Sequence, residues 1–406
     1  MRVLIVGVGT RGDVAPYTGL GVRLREAGHR VAVAAHEPHA ELVTGAGLEH
    51  RPIPGDPLPL LLPGARVSLA ARARMFARYA AQVTGGIVAA AEQGADILLL
   101  GVAASAGYHV AEAMGVPSMG VHLQPVEPTG DFPLVASALG RSFGRWGNRA
   151  AARLAFAVPS PVHAGSARAL RARLGLPPMS SRAVYRRRES TRWRVFHGYS
   201  PLVLPRPADW RDRLEVRGYW WPERPPGWAP DDVLADFVGS GPPPVFIGFG
   251  SQAAARAEEY TDLAVRALRR AGLRGVLQTG VPGLLGDDVL GVGDVPHDWL
   301  FPRMAAVAHH CGSGTTGAGL RAGVPAVGLP AVNDQPLWAA RLAALGVAPD
   351  TVPFRRLTAE RLAAALHAAV TEVAYRCRAA ALATRIRAED GAAAVISAVR
   401  DDIART

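Results

Sequence analysis

The chain has 406 residues, of which 49% are hydrophobic and 19% are charged, a composition that fits a soluble globular enzyme. Its length allows two domains with separate cores, because single hydrophobic cores stop growing at about 250–300 residues. The two cysteines, Cys311 and Cys377, exclude a disulfide framework and suit a reducing cytoplasm.

The net charge of +11 raises the question of a nucleic-acid partner. All 45 basic residues are arginine, which indicates codon bias from a GC-rich genome. Surfaces that bind nucleic acid usually mix Lys with Arg and interleave aromatics, so we predict no nucleic-acid partner. The densest basic cluster runs from Arg182 to Arg194. It is either a solvated or inter-domain surface, or a surface for an acidic partner, a membrane or an acidic substrate.

The sequence predicts neither a signal peptide nor stable membrane insertion. The longest apolar run, residues 97–106, is half of the ~20 residues that a membrane span needs, and Gly101 and Ser105 interrupt it. The apolar residues after Met1 end at Gly7, and no small-residue cleavage site follows. We therefore expect a cytoplasmic protein.

The first half of the chain alternates between strand and helix patterns. It opens with a strand at 2–8, a loop at 9–16, a helix at 17–27 that Gly28 stops, and a strand at 30–35. The next predicted elements are a helix at 70–93, a strand at 97–100, a helix at 104–114, a strand at 118–122, and helices near 135–157 and 160–174. This order predicts an α/β, doubly wound domain.

Gly7, Gly9 and Gly12 fit the spacing of a dinucleotide-binding fingerprint, so an NAD- or FAD-dependent oxidoreductase is one alternative. In that fingerprint the helix begins at the glycines. Here Pro16 suits the first helical position, which predicts a helix that starts later. The nearest acid after the second strand is Glu37, further along than the fingerprint expects.

Asp13 lies in the loop after the first strand, where a carboxylate can take the proton of an attacking hydroxyl as a general base. The alternative is an aspartate that braces the loop and caps the helix. Thr10 can contact a substrate or serve the loop alone. Arg11 can reach a diphosphate or be a surface arginine.

Prolines then punctuate the middle of the chain before a second strand–helix series starts at 245–249. We predict a first domain over 1–215, a linker over 216–244 and a second domain over 245–384.

The stretch 308–316 predicts a phosphate-binding loop between a strand at 303–308 and a helix at 317–322. A Gly/Ser/Thr loop ahead of a helix presents free N–H groups and the positive dipole end to an anion, and His310 can add a donor. Asp334 and Gln335 follow the next strand, at 324–330, at the same sheet edge, where they can bind sugar hydroxyls. The alternatives are a buried histidine beside a Gly-rich turn, and a helix cap at Asp334.

No DxD-like pair or His/Cys/Asp cluster at ligand spacing occurs in the sequence, so we expect no metal and no cofactor. The charge of a leaving diphosphate would be neutralised by the helix end, His310 and Arg11 instead. Cys311 has no base partner at a spacing that supports a nucleophile.

Five motifs, in the right order along nearly the whole chain, carry a resemblance to a known family. They are residues 10–16, 121–125 with 128–133 beyond, 249–251, 309–316 and 333–336. The chain resembles the nucleotide-diphospho-sugar glycosyltransferases of GT-B fold, in the bacterial natural-product and sterol-glucosyltransferase-like branch that includes the vancomycin-group enzymes. It departs from the family at Cys311, where bacterial relatives usually have Gly, and at Ser313, where Ala is more usual.

The resemblance implies two Rossmann-like domains that face each other across a cleft, with residues 385–406 crossing back to the first domain. It also implies a role for each matched residue. These are catalysis by Asp13; acceptor binding by Thr10, His122, Gln124 and Phe132; diphosphate binding by Arg11, Ser251, His310, Gly312, Ser313, Gly314 and Thr315; base binding by Val295 and His297; and sugar binding by Asp334 and Gln335.

The function that the resemblance implies is an inverting, metal-independent glycosyltransferase, active as a monomer or homodimer. It would move a hexose or deoxyhexose from a UDP- or dTDP-sugar to a hydroxyl of a hydrophobic antibiotic or polyketide aglycone. A sterol or lipid glucosyltransferase is the alternative within the class, and a non-catalytic sugar-nucleotide-binding auxiliary protein is the alternative outside it.

Overall fold

The computed structural model divides the chain into two units, which are described separately. It describes residues 1–57, 68–135, 142–157, 161–250, 256–278 and 280–403. Unit 1 comprises Met1–Pro201, Pro205–Pro226 and Asp390–Thr406, and unit 2 comprises Leu202–Leu204 and Gly227–Glu389. The end of the chain therefore belongs to the same unit as its beginning.

Unit 1 is built on a parallel sheet. Its strands are β1 (Arg2–Val6), β2 (Arg30–His36), β3 (Glu49–Ile53), β4 (Ile97–Leu100), β5 (Ser118–His122), β6 (Val195–His197) and β7 (Leu214–Val216). Among the described residues the sheet has seven strands in the order β3-β2-β1-β4-β5-β6-β7. The order reverses between β1 and β4, which places the topological switch point of the sheet at the carboxyl ends of these two strands.

The helices of unit 1 connect these strands. They are α1 (Arg11–Glu26), α2 (Ala40–Gly45), α3 (Leu69–Glu92), α4 (Ala106–Met114), α5 (Gly144–Ala157), α6 (Pro161–Arg173) and α7 (Ser181–Ser190). The last helix of the chain, Ala393–Ile403, also lies in this unit and is labelled α15 below.

Alternating residues of β1 supply two cores, one on each face of the sheet. Val3 and Ile5 belong to a cluster that includes Val395 of the C-terminal helix. Leu4 and Val6 belong to the cluster on the other face. This burial on both faces explains why the strands of a parallel sheet read as continuous apolar runs in the sequence.

Unit 2 repeats the plan on a smaller scale. Its strands are β8 (Val245–Gly248), β9 (Gly275–Gln278), β10 (Val289–Val292), β11 (Ala306–His309) and β12 (Ala326–Gly328). Its helices are α8 (Asp232–Gly239), α9 (Ala257–Ala271), α10 (His297–Leu300), α11 (Ser313–Ala322), α12 (Gln335–Ala344), α13 (Ala359–Thr371) and α14 (Val373–Arg387). Over the described residues the five strands run parallel in the order β10-β9-β8-β11-β12, so the switch point lies between β8 and β11.

Two predicted helix starts were wrong. The first helix begins at Arg11 and not at residue 17, and Pro16 lies inside it. The Asp13 carboxylate accepts a hydrogen bond from the backbone N–H of Thr10, which satisfies a free donor at the helix end and starts the helix earlier. The phosphate-loop helix likewise begins at Ser313 and not at residue 317, because Gly312 is its N-cap.

None of the helices in the described part of the chain combines the length and the apolar character that a membrane span needs.

Candidate active site

The Asp13 side chain is held at both of its oxygens by groups of unit 1. Its Oδ2 accepts hydrogen bonds from the Thr10 backbone N–H at 2.9 Å and from the Thr10 hydroxyl at 3.1 Å. Its Oδ1 accepts one from Gln124 Nε2 at 3.3 Å. Gln124 follows β5, so the carboxylate lies at the carboxyl edge of the sheet, where open α/β sheets bind ligands.

Gly9 is needed for this arrangement. Its backbone has a φ of +140°, and an added Cβ would lie 2.3 Å from Asp13 Oδ2. An L-residue would therefore be strained at this position and would also collide with the carboxylate. His39 Nε2 lies 3.2 Å from the Gly9 carbonyl oxygen and fixes the loop from the other side.

Burial raises the pKa of Asp13 above its usual value. The hydrogen bonds from Thr10 and Gln124 and the nearby His39 act in the opposite direction and lower it. A carboxylate that is partly desolvated in this way is a stronger base than one in water.

The same geometry argues against a dinucleotide site at Gly7, Gly9 and Gly12, although the helix start that served as evidence against it was wrong. The space beside Gly9 is filled by the Asp13 carboxylate. The space beside Gly7 is filled by Tyr17, whose ring carbon Cδ2 would lie 2.7 Å from an added Cβ. A negative side chain at this helix end occupies the place that a pyrophosphate would take.

The other predicted site residues of unit 1, four for the acceptor and Arg11 for the diphosphate, differ in exposure. Thr10 and Gln124 are partly exposed, and Arg11 is exposed at the first position of α1. His122 and Phe132 are buried, at 5% and 7% exposure. Burial, with His197 and Arg188 nearby, holds the pKa of His122 well below its usual value. A contact between an acceptor and either buried ring would require the surrounding loops to open.

In unit 2, the switch point brings together two loops that are 60 residues apart in sequence. His309 at the end of β11 pairs with Gly248 at the end of β8. The next residue, His310, hydrogen-bonds to the Gly248 backbone and packs on Gly250, which has a φ of +71°. An added Cβ at Gly250 would lie 2.8 Å from His310 Nδ1, and one at Gly312 would lie 2.8 Å from His310 Nε2. Two glycines thus hold the imidazole ring between them.

The N-terminus of α11 follows directly. Its backbone ladder begins with the bond from Thr316 N to Gly312 O at 2.9 Å. The amides of Ser313, Gly314 and Thr315 precede this bond, so they are the N–H groups that a helix leaves for other acceptors. Cys311, the residue before the N-cap, has a φ of +62°, a value more usual for glycine. The result is a helix start with free amides beside an imidazole, the kind of helix end to which anions bind.

The pKa values of these side chains limit the reactions in which each of them can take part. Burial lowers the pKa of His310, against the raising effect of its hydrogen bond to the Gly248 backbone. That bond uses the one N–H of the neutral ring, so His310 can donate to an anion only when its second ring nitrogen is protonated. Burial lowers the pKa of His309 to about 3, and its Nδ1 accepts from the Cys311 backbone N–H at 3.0 Å. Burial raises the pKa of Cys311 to about 12, so this thiol stays protonated and is not a nucleophile.

The Asp334–Gln335 pair begins α12, after the β12 strand and a left-handed residue at Asn333. Asp334 Oδ2 accepts a hydrogen bond from Trp338 Nε1 at 2.7 Å. Gln335 Oε1 accepts from the backbone N–H groups of Ala331 and Val332 at 2.8 and 3.1 Å. These bonds fix both side chains, and they direct the Gln335 amide nitrogen away from its own loop.

Three further residues of unit 2 were predicted to bind the donor. Val295 and His297 are partly exposed, and the His297 ring stacks on Phe301 at a centroid distance of 4.2 Å. Ser251 lies outside the described residues. Among the residues that the structure does describe, no group of three or more His, Cys, Asp or Glu side chains comes together as a metal site.

Sequence reasoning missed His39, which gave no motif signal, and the role of Gln124 as a donor to Asp13, because the two residues lie 111 positions apart. It considered Gly9 only within a dinucleotide fingerprint that it argued against, whereas in the structure Gly9 leaves room for the Asp13 carboxylate.

Two doubly wound parallel sheets, the second with free helix-start amides at its switch point, are the architecture of the GT-B glycosyltransferases. Residues 3–129 match the Glycosyltransferase family 28 N-terminal domain, and residues 278–401 match the Erythromycin biosynthesis protein CIII-like, C-terminal domain. The chain is 38% identical over 408 residues to the O-mycaminosyltylonolide 6-deoxyallosyltransferase of Streptomyces fradiae, which covers 96% of this chain and 95% of that protein. The chain therefore belongs to this glycosyltransferase family and is a glycosyltransferase.

Other similar proteins support the same family assignment and fold. The chain is 30% identical over 428 residues to Sterol 3-beta-glucosyltransferase UGT80A2 of Arabidopsis thaliana, with 98% of this chain and 65% of that longer protein covered. The crystal structure of glycosyltransferase VinC in complex with dTDP matches 100% of both chains with a TM-score of 0.70 at 22% identity. Spinosyn Forosaminyltransferase SpnP matches 100% of this chain and 99% of its own with a TM-score of 0.73 at 19% identity. At these identities the two solved structures support the fold alone.

Proposed function

We propose that this glycosyltransferase inverts the anomeric centre in one displacement, with a UDP- or dTDP-sugar as donor and Asp13 as general base. The observation that carries the proposal is the unit 2 switch point, where His310 and the N-terminus of α11 form one anion site. A sugar nucleotide is the family's co-substrate, and its diphosphate is the anion that such a site fits.

The donor diphosphate would lie on the amides of Ser313, Gly314 and Thr315. Its negative charge would favour protonation of His310, whose second N–H would then be a further donor. Gly312 forms the N-cap of the same turn. Ser251 and Arg11 remain proposed as further diphosphate contacts. The backbone at Val295 and His297 would read the base of the nucleotide. Asp334 and the Gln335 amide would bind hydroxyls of the sugar.

Transfer then balances in a single step. The acceptor oxygen attacks the anomeric carbon as its proton passes to the Asp13 carboxylate, and the bond from that carbon to the diphosphate oxygen breaks. The leaving diphosphate keeps the electron pair, and the helix end and His310 stabilise its charge. One displacement gives inversion.

We propose that no metal takes part, because the α11 amides and His310 already supply the groups that stabilise the leaving charge. We also propose a cytoplasmic enzyme that works as a monomer or homodimer and has no nucleic-acid partner.

The acceptor would be a hydroxyl on a hydrophobic natural product, contacted by Thr10 and Gln124, with His122 and Phe132 behind them. The most similar relative reported above transfers a 6-deoxyallosyl group to O-mycaminosyltylonolide, which favours a deoxyhexose and an antibiotic or polyketide aglycone. Sterol glucosyltransferases are also relatives, so a sterol or lipid hydroxyl is the second candidate. Parallel assays with macrolide aglycones and with sterols distinguish the two.

The Asp13→Asn variant tests the catalytic proposal. We expect kcat to fall by about 10²–10⁴-fold, because general-base catalysis contributes about that much, while affinity for the sugar nucleotide stays at the wild-type value. The asparagine oxygen can still accept from the Thr10 N–H, so the fold should persist. Turnover measured with EDTA present tests metal independence in the same assay.

Asp231→Asn is the matched control, since Asp231 also satisfies a helix start, by accepting from Leu234 N at 2.7 Å. It should leave kcat unchanged. Wild-type turnover by the Asp13→Asn variant would refute the base assignment.

A further inference from the structure

The positive charge of the chain is concentrated in one segment of unit 1. Residues 141–194 contain thirteen arginines and a single acidic residue, Glu189, so their net charge of +12 exceeds the +11 of the whole chain. The remainder of the protein is therefore close to neutral. Some of these arginines pair with acids elsewhere in unit 1, as Arg171 does with Glu112 at 2.7 Å. Arg153, Arg182 and Arg186 are exposed on the surfaces of α5 and α7.

An apolar stripe lies in the same segment. Among the described residues, Phe143 and Trp146 are the two aromatic side chains classed as exposed, at 56% and 92%. Leu154, eight residues after Trp146, is 65% exposed. This spacing, with Ala150 between them, places both side chains on one face of α5, and the buried Asn148 and Ala152 lie on the opposite face.

Helix α7, which is packed on α5, carries further exposed positive charge. It packs on α5 through the rings of Phe156 and Tyr185, whose centroids are 5.7 Å apart. Arg182 and Arg186, one helical turn apart, lie on either side of Tyr185 in the sequence and are exposed. We call the surface formed by Trp146, Leu154, Arg153, Arg182 and Arg186 the basic aromatic face.

We propose that the basic aromatic face docks unit 1 on the surface of an anionic phospholipid bilayer. Trp and Phe prefer the interfacial layer of a membrane, and Leu154 can enter the acyl boundary beside them. The arginines would bind lipid phosphates, and α5 itself carries no acidic residue to oppose them. An indole that is 92% exposed can enter a lipid surface directly, whereas a protein partner would need a matching groove for it.

Vesicle co-sedimentation of the whole protein, without any nucleotide, tests this proposal. We expect binding to vesicles of phosphatidylglycerol and phosphatidylcholine, weaker binding to phosphatidylcholine alone, and loss of binding as salt rises. The Trp146→Ser/Leu154→Ser double variant and the Arg182→Gln/Arg186→Gln double variant should each weaken binding by about tenfold or more. Trp146→Phe should retain most of it.

The control is Val373→Ser, which removes an apolar side chain of unit 2 that is 71% exposed, about as much as Leu154. It should bind vesicles as the wild type does. Every variant should keep the wild-type melting temperature and the wild-type rate with a water-soluble acceptor, because the changed side chains are exposed and lie outside the proposed catalytic machinery. Vesicle binding therefore tests the membrane proposal, and turnover of the water-soluble acceptor tests the proposed function independently.

Equal binding to neutral and anionic vesicles, or unchanged binding by the Trp146→Ser/Leu154→Ser variant, would overturn the proposal. Sedimentation equilibrium supplies a further contradicting result. A wild-type dimer that the Trp146 variant converts to monomer, without vesicle binding by either protein, would assign the face to a second copy of the chain. Binding to an acidic protein or to nucleic acid in place of vesicles would overturn it as well.

Discussion

Asp13 shows how one side chain can serve local structure and chemistry at once. Its Oδ2 holds the start of α1 through two bonds to Thr10, and its Oδ1 receives only the longer bond from Gln124. Oδ1 is therefore the oxygen better placed to accept a further proton. The two alternatives that the sequence left open, a helix brace and a general base, do not exclude each other.

The Gln124→Leu variant tests how this carboxylate is tuned. Removal of the Gln124 donor removes an interaction that lowers the pKa of Asp13, so the pKa should rise further. Because the base works only as the carboxylate, activity falls as the pH drops through this pKa. The acid limb of the kcat/KM profile should therefore move to higher pH, with rates that recover at alkaline pH.

A purely structural role for Gln124 predicts a different result, in which the rate falls by the same factor at every pH. Gln93→Leu is the control, since Gln93 bonds only within its own helix region, to Ala89 O at 3.3 Å. Its profile should match that of the wild type.

At the scale of elements, the donor site depends on how two loops end at one sheet edge. The pairing of His309 with Gly248 aligns β11 and β8, and the Gly250 turn then leaves room for the His310 ring. The imidazole ring fits between Gly250 and Gly312 because neither residue has a side chain.

The Gly250→Ala variant tests this arrangement. Its Cβ would lie 2.8 Å from His310 Nδ1, so the ring could not keep its position between Gly250 and Gly312. We expect weaker binding of UDP- or dTDP-sugar, by about tenfold, since one hydrogen bond to a charged group is worth about 1.5–3 kcal/mol. Isothermal titration calorimetry measures the change.

Gly272→Ala provides the matched control. Gly272 has a similar φ of +68°, but an added Cβ there meets nothing within 4 Å. Both variants should lose about 1 kcal/mol of stability from the left-handed conformation, and only Gly250→Ala should lose donor affinity. Equal donor affinity in both would contradict the proposed role of His310.

The elements also show what the sequence could predict. Strands such as β1 and β8 were clear because apolar runs end at glycines, and the order of strand, Gly/Ser/Thr loop and helix at β11 and α11 was predicted correctly. The starts of α1 and α11 were misplaced. The Asp13 carboxylate completes a capping arrangement at Thr10, ahead of Pro16, and the backbone of α11 already turns into the helix after Gly312, ahead of Thr315. Helix ends depend on such caps, which periodicity does not reveal.

At the scale of the whole molecule, both units follow the same strand order around a switch point. The alternation of strands and helices along the chain was enough to predict two doubly wound domains, because right-handed crossovers leave few other arrangements. Contacts such as Gln124 with Asp13 and His39 with Gly9 could not be predicted, since they join residues from different loops that only the folded sheet brings together.

Ligand-induced stabilisation tests the class of ligand on the intact protein. A sugar nucleotide at 100 times its Kd should stabilise the native state by about 2.7 kcal/mol, which is a rise of about 5–10 °C in the melting temperature of a unit of this size. UDP-glucose and dTDP-glucose should be compared with NADH and NADPH at equal concentrations. Stabilisation by the nicotinamide nucleotides alone would contradict the donor assignment.

The position of the diphosphate in a crystal of the protein with dTDP or UDP is the most direct test. We predict that the phosphate oxygens lie at hydrogen-bond distance, about 2.7–3.2 Å, from the Gly314 and Thr315 amides at the start of α11. A nucleotide bound in the loop from Gly7 to Gly12, with the α11 amides free of it, would contradict the account.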